Sequence, residues 1–233
     1  DRPFKAELAS KEADFVCVQP HEDLVEIDYL ATLLDAARNY PRAAVVFSDL
    51  AMFGTQEGVL SQESVIGTPF ERQMSLLTRH FNAIAYRGLN RTSALKAVRP
   101  ISGNACGDFA CDTVWMARLA RVGDLVRVPR VLYHKRYLPG SVHAEWPNRS
   151  KLKMGFAWIQ HCLDMLAEAL PVASSTDERR LLIDAARARL FWRHVELEPY
   201  GIKRLKLWGL RAAFEVGAAV RPDLGRLQQT LRH

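Results

Sequence analysis

The chain has 233 residues, 48% of them hydrophobic and 25% charged, with a net charge of +6. That apolar content supports a real core and excludes an intrinsically disordered chain. No uninterrupted apolar stretch reaches membrane-spanning length, because the best candidate, residues 205–220, is broken by Lys206, Arg211 and Glu215.

The chain opens at Asp1 without a methionine or a secretory signal and runs into a helix-permissive stretch over residues 4–13. It is therefore expected to be a segment of a longer protein. An apolar strand over Phe15–Val18 follows, then Pro20 and the acids Glu22 and Asp23. Leu30, Leu33, Leu34 and Ala37 fall at i, i+3, i+4 and i+7, which predicts a helix ending before Pro41. A second apolar run, Ala43–Phe47, ends in Ser48-Asp49. Strand, helix and strand at this spacing predict a βαβ unit with two parallel strands and a right-handed crossover. In such sheets ligands gather beyond the carboxyl ends of the strands, where both His21-Glu22-Asp23 and Asp49 lie.

Residues 54–69 read as loop and 70–80 as helix. "AIAYRGLNRTSAL" reads as a short strand and turn before another helix. "GDFACDTVWMARLARVGDL" carries a helix with Asp108 as its N-cap, Asp112 in its first turn, a core side of Trp115, Leu119 and Val122, and a stop at Gly123. "LVRVPRVLYHKRY" is a strand in which Pro129 demands an edge or a bulge. Beyond Trp146 the pattern turns wholly helical. Leu152, Phe156, Ile159, Leu163, Leu166 and Leu170 form one apolar seam that Pro171 ends, "SSTDE" opens the next helix, and Pro199, Gly201 and Pro222 punctuate two more. Two parts are expected, residues 1–148 and a helical extension over 149–233. The first balances 17 Lys and Arg against 17 Asp and Glu, whereas the second holds 15 against 9. The four cysteines, Cys17, Cys106, Cys111 and Cys162, show no CxxC or zinc-like spacing and read as free thiols in a reducing cytoplasm.

Three groups can carry chemistry. Glu22 and Asp23 suit a hard divalent cation, or else they open a solvated turn. Asp112, at the positive end of a helix, can serve as a general base, or else it is a common first-turn acid. Arg130, Lys135 and Arg136 can grip phosphate, or else they guard an edge strand, with His134 and His143 nearby.

In order and spacing these pieces resemble the later half of a family 2 glycosyltransferase of the GT-A fold. "FVCVQPHED", "YLATLLDAARNYP" and "AAVVFSDL" match the strand with its metal motif, the helix and the following strand. "YRGLNRTSAL" is similar to the family's Gly-containing, Arg-rich turn, and "CDTVWMARLARVGDLVRVPRVLYHKR" to the helix of the catalytic base and the strand after it. The resemblance covers residues 5–146. It implies an α/β fold, a partial GT-A mixed sheet with flanking helices, followed by the all-α region. It also implies inverting transfer of a sugar from a nucleotide-diphosphate donor to a hydroxyl of a glycan or lipid-linked acceptor, assisted by Mn²⁺ or Mg²⁺. By position, Asp23 is the principal metal ligand with Glu22 and His143 in support, and Asp112 is the base. Arg136, Lys135, Asp49 and Gly88 fall on the substrate and phosphate side. The family's first metal-motif Asp falls on Pro20, the acid before the base on Cys111, and the histidine before "PGS" on Leu138. The family's nucleoside-binding strand is expected upstream of residue 1.

Asp23 and Asp112 should then converge on one cleft. The competing expectation is a non-catalytic scaffold whose basic helix at 201–220, with Lys203, Arg204 and Arg211 on one face, meets a partner or an anionic membrane. Either way the chain is expected in the cytoplasm, at the inner face of a membrane if that helix binds lipid. Nucleic acid is not expected, because no aromatics are interleaved with the basic residues to stack bases.

Overall fold

In the computed structural model, the described residues are 13–79, 83–104, 106–139, 150–190 and 216. Its centre is a parallel pair of long strands, β3 (Ala43–Gly54) and β6 (Asp124–Tyr137). The first eight residues of β3 are all buried, as expected for a strand covered on both faces. Around this pair lie β1 (Phe15–Cys17), β2 (Leu24–Val25), β4 (Gly58–Leu60) and β5 (Leu89–Arg91), in the order β1-β5-β3-β6-β2 with β4 on the far half of β3. The fold is mixed α/β with flanking helices.

The βαβ expectation needs one correction. The strands β1 and β3 run in the same direction but are not neighbours, because β5 inserts between them antiparallel to both. The helix between them, α1 (Tyr29–Asn39), buries Tyr29, Leu33 and Ala37. The loop expected over residues 54–69 is instead partly a hairpin of β3 with β4. Gly54 turns it at φ +99°, and a side chain there would run into the carbonyl of Tyr137.

The proline in β6 sits in a bulge. Ser48 pairs with Val128 but Asp49 with Val131, so Pro129 and Arg130 are extra residues in β6. Helix α2 (Pro69–Thr78) starts with a capping box, the Thr68 hydroxyl accepting from Glu71 N–H while the Glu71 carboxylate accepts from Thr68 N–H. The stretch Ala83–Arg87 is a 3-10 turn rather than a strand, and β5 with the short α3 (Thr92–Ala97) follows it. Helix α4 (Cys111–Ala120) buries Trp115 and Leu119 as expected, but Val122 lies past its end and is 45% exposed. Asp108 is not the N-cap. That position is Ala110, in the left-handed region, while the Asp108 carboxylate accepts from Asn104 N–H at 2.9 Å.

Helices α5 (Lys151–Ala169) and α6 (Thr176–Leu190) pack on each other and on α2 and α4. A 3-10 turn at Leu170–Val172 joins them, and Ser175 Oγ accepts from Glu178 N–H to start α6. Their side chains, Trp158 and Leu166 among them, belong to the same hydrophobic core as the sheet. The expected seam holds from Ile159 to Leu170, whereas Leu152 and Phe156 are exposed.

Two polar ties, one ionic and one to a backbone carbonyl, cross this junction. Glu168 on α5 accepts from Arg118 at 2.9 Å and Arg121 at 3.0 Å. The Arg189 guanidinium of α6 donates to the carbonyl of Leu76 at 3.1 Å, near the C-terminus of α2 where a cation suits the helix dipole. All four cysteines are free thiols. Among the described residues no helix is long and apolar enough to cross a membrane. Apart from residues 13 and 216, the expected helices over 4–13 and 201–220, with the lipid contact expected of the latter, lie outside the described residues.

Candidate functional site

The stretch after β1 separates its two acids. Asp23 N–H donates to the carbonyl of Pro20 at 3.1 Å, closing a tight turn. This turn sends Glu22 outward, beside the largely exposed His21 at 3.3 Å, and Asp23 inward to 5% exposure. Neighbouring carboxylates thus avoid each other by facing different media.

Three donors meet the Asp23 carboxylate. Tyr133 OH donates to Oδ2 at 2.7 Å, Arg87 Nε donates to the same oxygen at 3.3 Å, and the backbone N–H of Arg136 donates to Oδ1 at 3.0 Å. Arg87 ends the 3-10 turn, which is pinned because the Arg87 carbonyl accepts from Tyr29 OH at 2.8 Å. Gly88 lets this turn lie on β3. A Cβ there would stand 2.3 Å from the Val46 carbonyl oxygen and 2.8 Å from Phe47 Cβ. The Arg87 guanidinium lies 4.3 Å over the Tyr86 ring and 5.8 Å from that of Tyr133.

Beyond the bulge, β6 alternates faces. Tyr133, Lys135 and Tyr137 share one face, and His134 and Arg136 the other. Lys135 Nζ donates to Tyr137 OH at 3.0 Å and lies 4.2 Å above that ring. Burial and the nearby Arg87 charge pull the Lys135 ammonium down to about 8, against the opposing influence of Asp23 and Asp112. Arg136 reaches Asp23 through its backbone, while its guanidinium lies exposed 5.8 Å from the Phe53 ring.

Asp112 occupies the first turn of α4, its Oδ1 accepting from Thr113 N–H at 2.8 Å. It keeps some open surface, yet dense protein surroundings push its carboxyl above the ordinary carboxylate range, with Arg87 and Lys135 pulling the other way. Burial and the Asp112 and Asp108 charges raise the neighbouring Cys111 thiol to about 11, so it stays protonated at neutral pH. Burial raises Tyr86 to about 12, and the charges of Asp112 and Asp23 add to this. Arg87, Lys135 and Tyr86 therefore each sense both Asp23 and Asp112. The two acids, from distant segments, act electrostatically on the same pair of cations.

Asp49 stands apart from this group. Its carboxylate takes a two-pronged grip from Arg127, at 2.8 and 2.9 Å, and Arg127 also reaches Glu63 at 2.9 Å. His143 lies outside the described residues.

A divalent cation fits the described donors poorly. Manganese or magnesium seeks about six oxygens, but the Asp23 oxygens already accept three hydrogen bonds and Glu22 points outward. Among the described residues no group of three His, Cys, Asp or Glu side chains could hold a metal. A dication about 4 Å from the Arg87 charge would also meet roughly 8 kcal/mol of repulsion at an effective dielectric constant near 20.

Sequence reading missed Arg87, Tyr86, Tyr133 and Tyr137. Only the alternation of Tyr133, Lys135 and Tyr137 in "VLYHKRY" signalled a shared face. The chain matches no protein-family model and no curated protein.

Proposed function

We propose that the chain is the later half of a GT-A-type glycosyltransferase domain, acting on a nucleotide-diphosphate sugar and a hydroxyl acceptor, with Asp112 as general base. The observation that carries this reading is the position of Asp112. It is a helix-opening carboxylate with a raised proton affinity and some open surface, within electrostatic reach of the same Arg87 and Lys135 that Asp23 senses. A half-open carboxyl of this kind suits proton transfer better than an ordinary surface acid, because its proton affinity lies closer to that of the group it must deprotonate.

In the proposed reaction, Asp112 takes the proton of the acceptor hydroxyl as its oxygen attacks the anomeric carbon. The new glycosidic C–O bond forms on one face while the bond to the diphosphate oxygen breaks on the other, which inverts the centre. The leaving diphosphate departs with the bonding pair. Arg87 and Lys135 face the charge that develops there, an electrostatic role for fixed cations. The donor sugar, acceptor and nucleotide belong to parts of the pocket that other residues shape.

The test is turnover of a panel of nucleotide-diphosphate sugars by the full-length protein. Asp112→Asn keeps the acceptor oxygen for Thr113 N–H but removes the base. It should lower kcat by about a hundred- to ten-thousandfold with little change in donor binding. Unchanged kcat in this variant would remove Asp112 from the mechanism, and no turnover of any donor by the parent protein would favour the scaffold reading.

A further inference from the structure

We propose that Arg87 and Lys135 form a built-in dication for a diphosphate group, with Asp23 as the anchor of Arg87 rather than a ligand of a metal. This rests on the transferase reading for its ligand and departs from the metal dependence which the resemblance implies. The argument starts from Arg87. It is only 8% exposed, yet among the described residues only its Nε has a hydrogen-bond acceptor, the Asp23 carboxylate. Nη1 and Nη2, the pair that grips phosphate oxygens side by side, have none.

The guanidinium is also held rigidly. Asp23 fixes one edge and Tyr86 one face, and Tyr133 OH fixes Asp23 in turn. Lys135 adds a second cation on the face of β6 that carries Tyr133, whose hydroxyl shares the Asp23 carboxylate with Arg87, and its ammonium is braced on Tyr137. The donors around Asp23 are spent on that carboxylate, so its oxygens are taken up, whereas a hard cation requires oxygens free to ligate it.

Two binding measurements on the full-length protein test this. Inorganic pyrophosphate is titrated calorimetrically in EDTA, and Mn²⁺ alone is titrated by electron paramagnetic resonance. Saturable pyrophosphate binding in EDTA is expected, weakened about tenfold or more by Lys135→Gln and largely retained in Lys135→Arg. Free Mn²⁺ should give the same signal with parent protein and with Asp23→Asn. Because Arg87→Gln could unfold the chain by stranding Asp23, the lysine variants carry the test.

Absence of pyrophosphate binding in EDTA, or indifference of that binding to Lys135→Gln, would overturn the proposal. So would Mn²⁺ binding that Asp23→Asn abolishes. Pyrophosphate binding as expected, without turnover of any nucleotide sugar, would uphold the cation pair and strike the transferase reading instead.

Discussion

Replacing Asp23 with alanine separates an internal anchor from a metal ligand. The Asp23 side chain is 3% exposed and its Arg87 partner 10%, so the variant strands a guanidinium in a nearly dry place. Removing one member of such a pair costs about 3–5 kcal/mol. Tyr133 OH and Arg136 N–H lose their acceptor as well, but these losses overlap with the first and do not simply add. With a urea slope of about 2 kcal/mol per molar, the midpoint should fall by roughly 1.5–2.5 M. The thermal midpoint should fall by about 6–20 °C. Both are read by tryptophan fluorescence in EDTA, so that no metal contributes. Glu22→Ala is the control, because that side chain sits outside beside His21 and its loss should stay within about 0.5 kcal/mol. Adding Arg87→Met to Asp23→Ala should recover part of the loss, since no charge is then left without a partner. An Asp23→Ala variant no less stable than Glu22→Ala would refute the buried anchor.

Further outcomes follow from the same geometry. Lys135 loses its proton near pH 8 in the fold and above 10 when unfolded. Between those values the unfolded chain binds more protons, so this residue makes stability rise with pH. In Lys135→Met that rise should flatten and stability at pH 7 should increase by roughly 1–3 kcal/mol, as measured by urea titration across pH. Gly88→Ala should cost about 1–3 kcal/mol, because its methyl group meets the Val46 carbonyl oxygen at 2.3 Å; an unchanged melting curve would contradict that close approach. Glu168→Ala should cost about 3–5 kcal/mol by leaving Arg118 and Arg121 without their carboxylate, as measured by calorimetric unfolding.

Local signals in the sequence were readable where the structure they specify is local. Thr68, Pro69 and Glu71 start α2 through contacts within four residues, and Pro129 forces a bulge wherever its strand lies. Asp112 likewise needs only its own helix to occupy a first turn. The burial of Asp23 depends on Arg87 and Tyr133, 64 and 110 residues away, and no spacing rule reaches that far. The insertion of β5 was hidden for the same reason, since three residues pair with strands at long range on both sides. On α1 the expected seam holds at Leu33 and Ala37 but not at its first position. Leu30 faces outward because Tyr29, whose hydroxyl must reach the Arg87 carbonyl, sets the buried side. On α5 the opposite happened. Enclosed by α2, α4 and α6, its middle is buried nearly all round, so Trp158, Cys162 and Met165 are as covered as the seam itself.

The shared core has a consequence for how this molecule could be divided or inherited. A chain severed after residue 148 would bare the sides of α2 and α4 that α5 and α6 now cover, and it would keep two arginines whose counter-charge had been discarded. Such a fragment would present a sticky, wrongly charged wall where α5 now sits. A lineage that kept the sheet while losing the helical pair would have to rewrite that wall at the same time, so the two are expected to travel together through evolution.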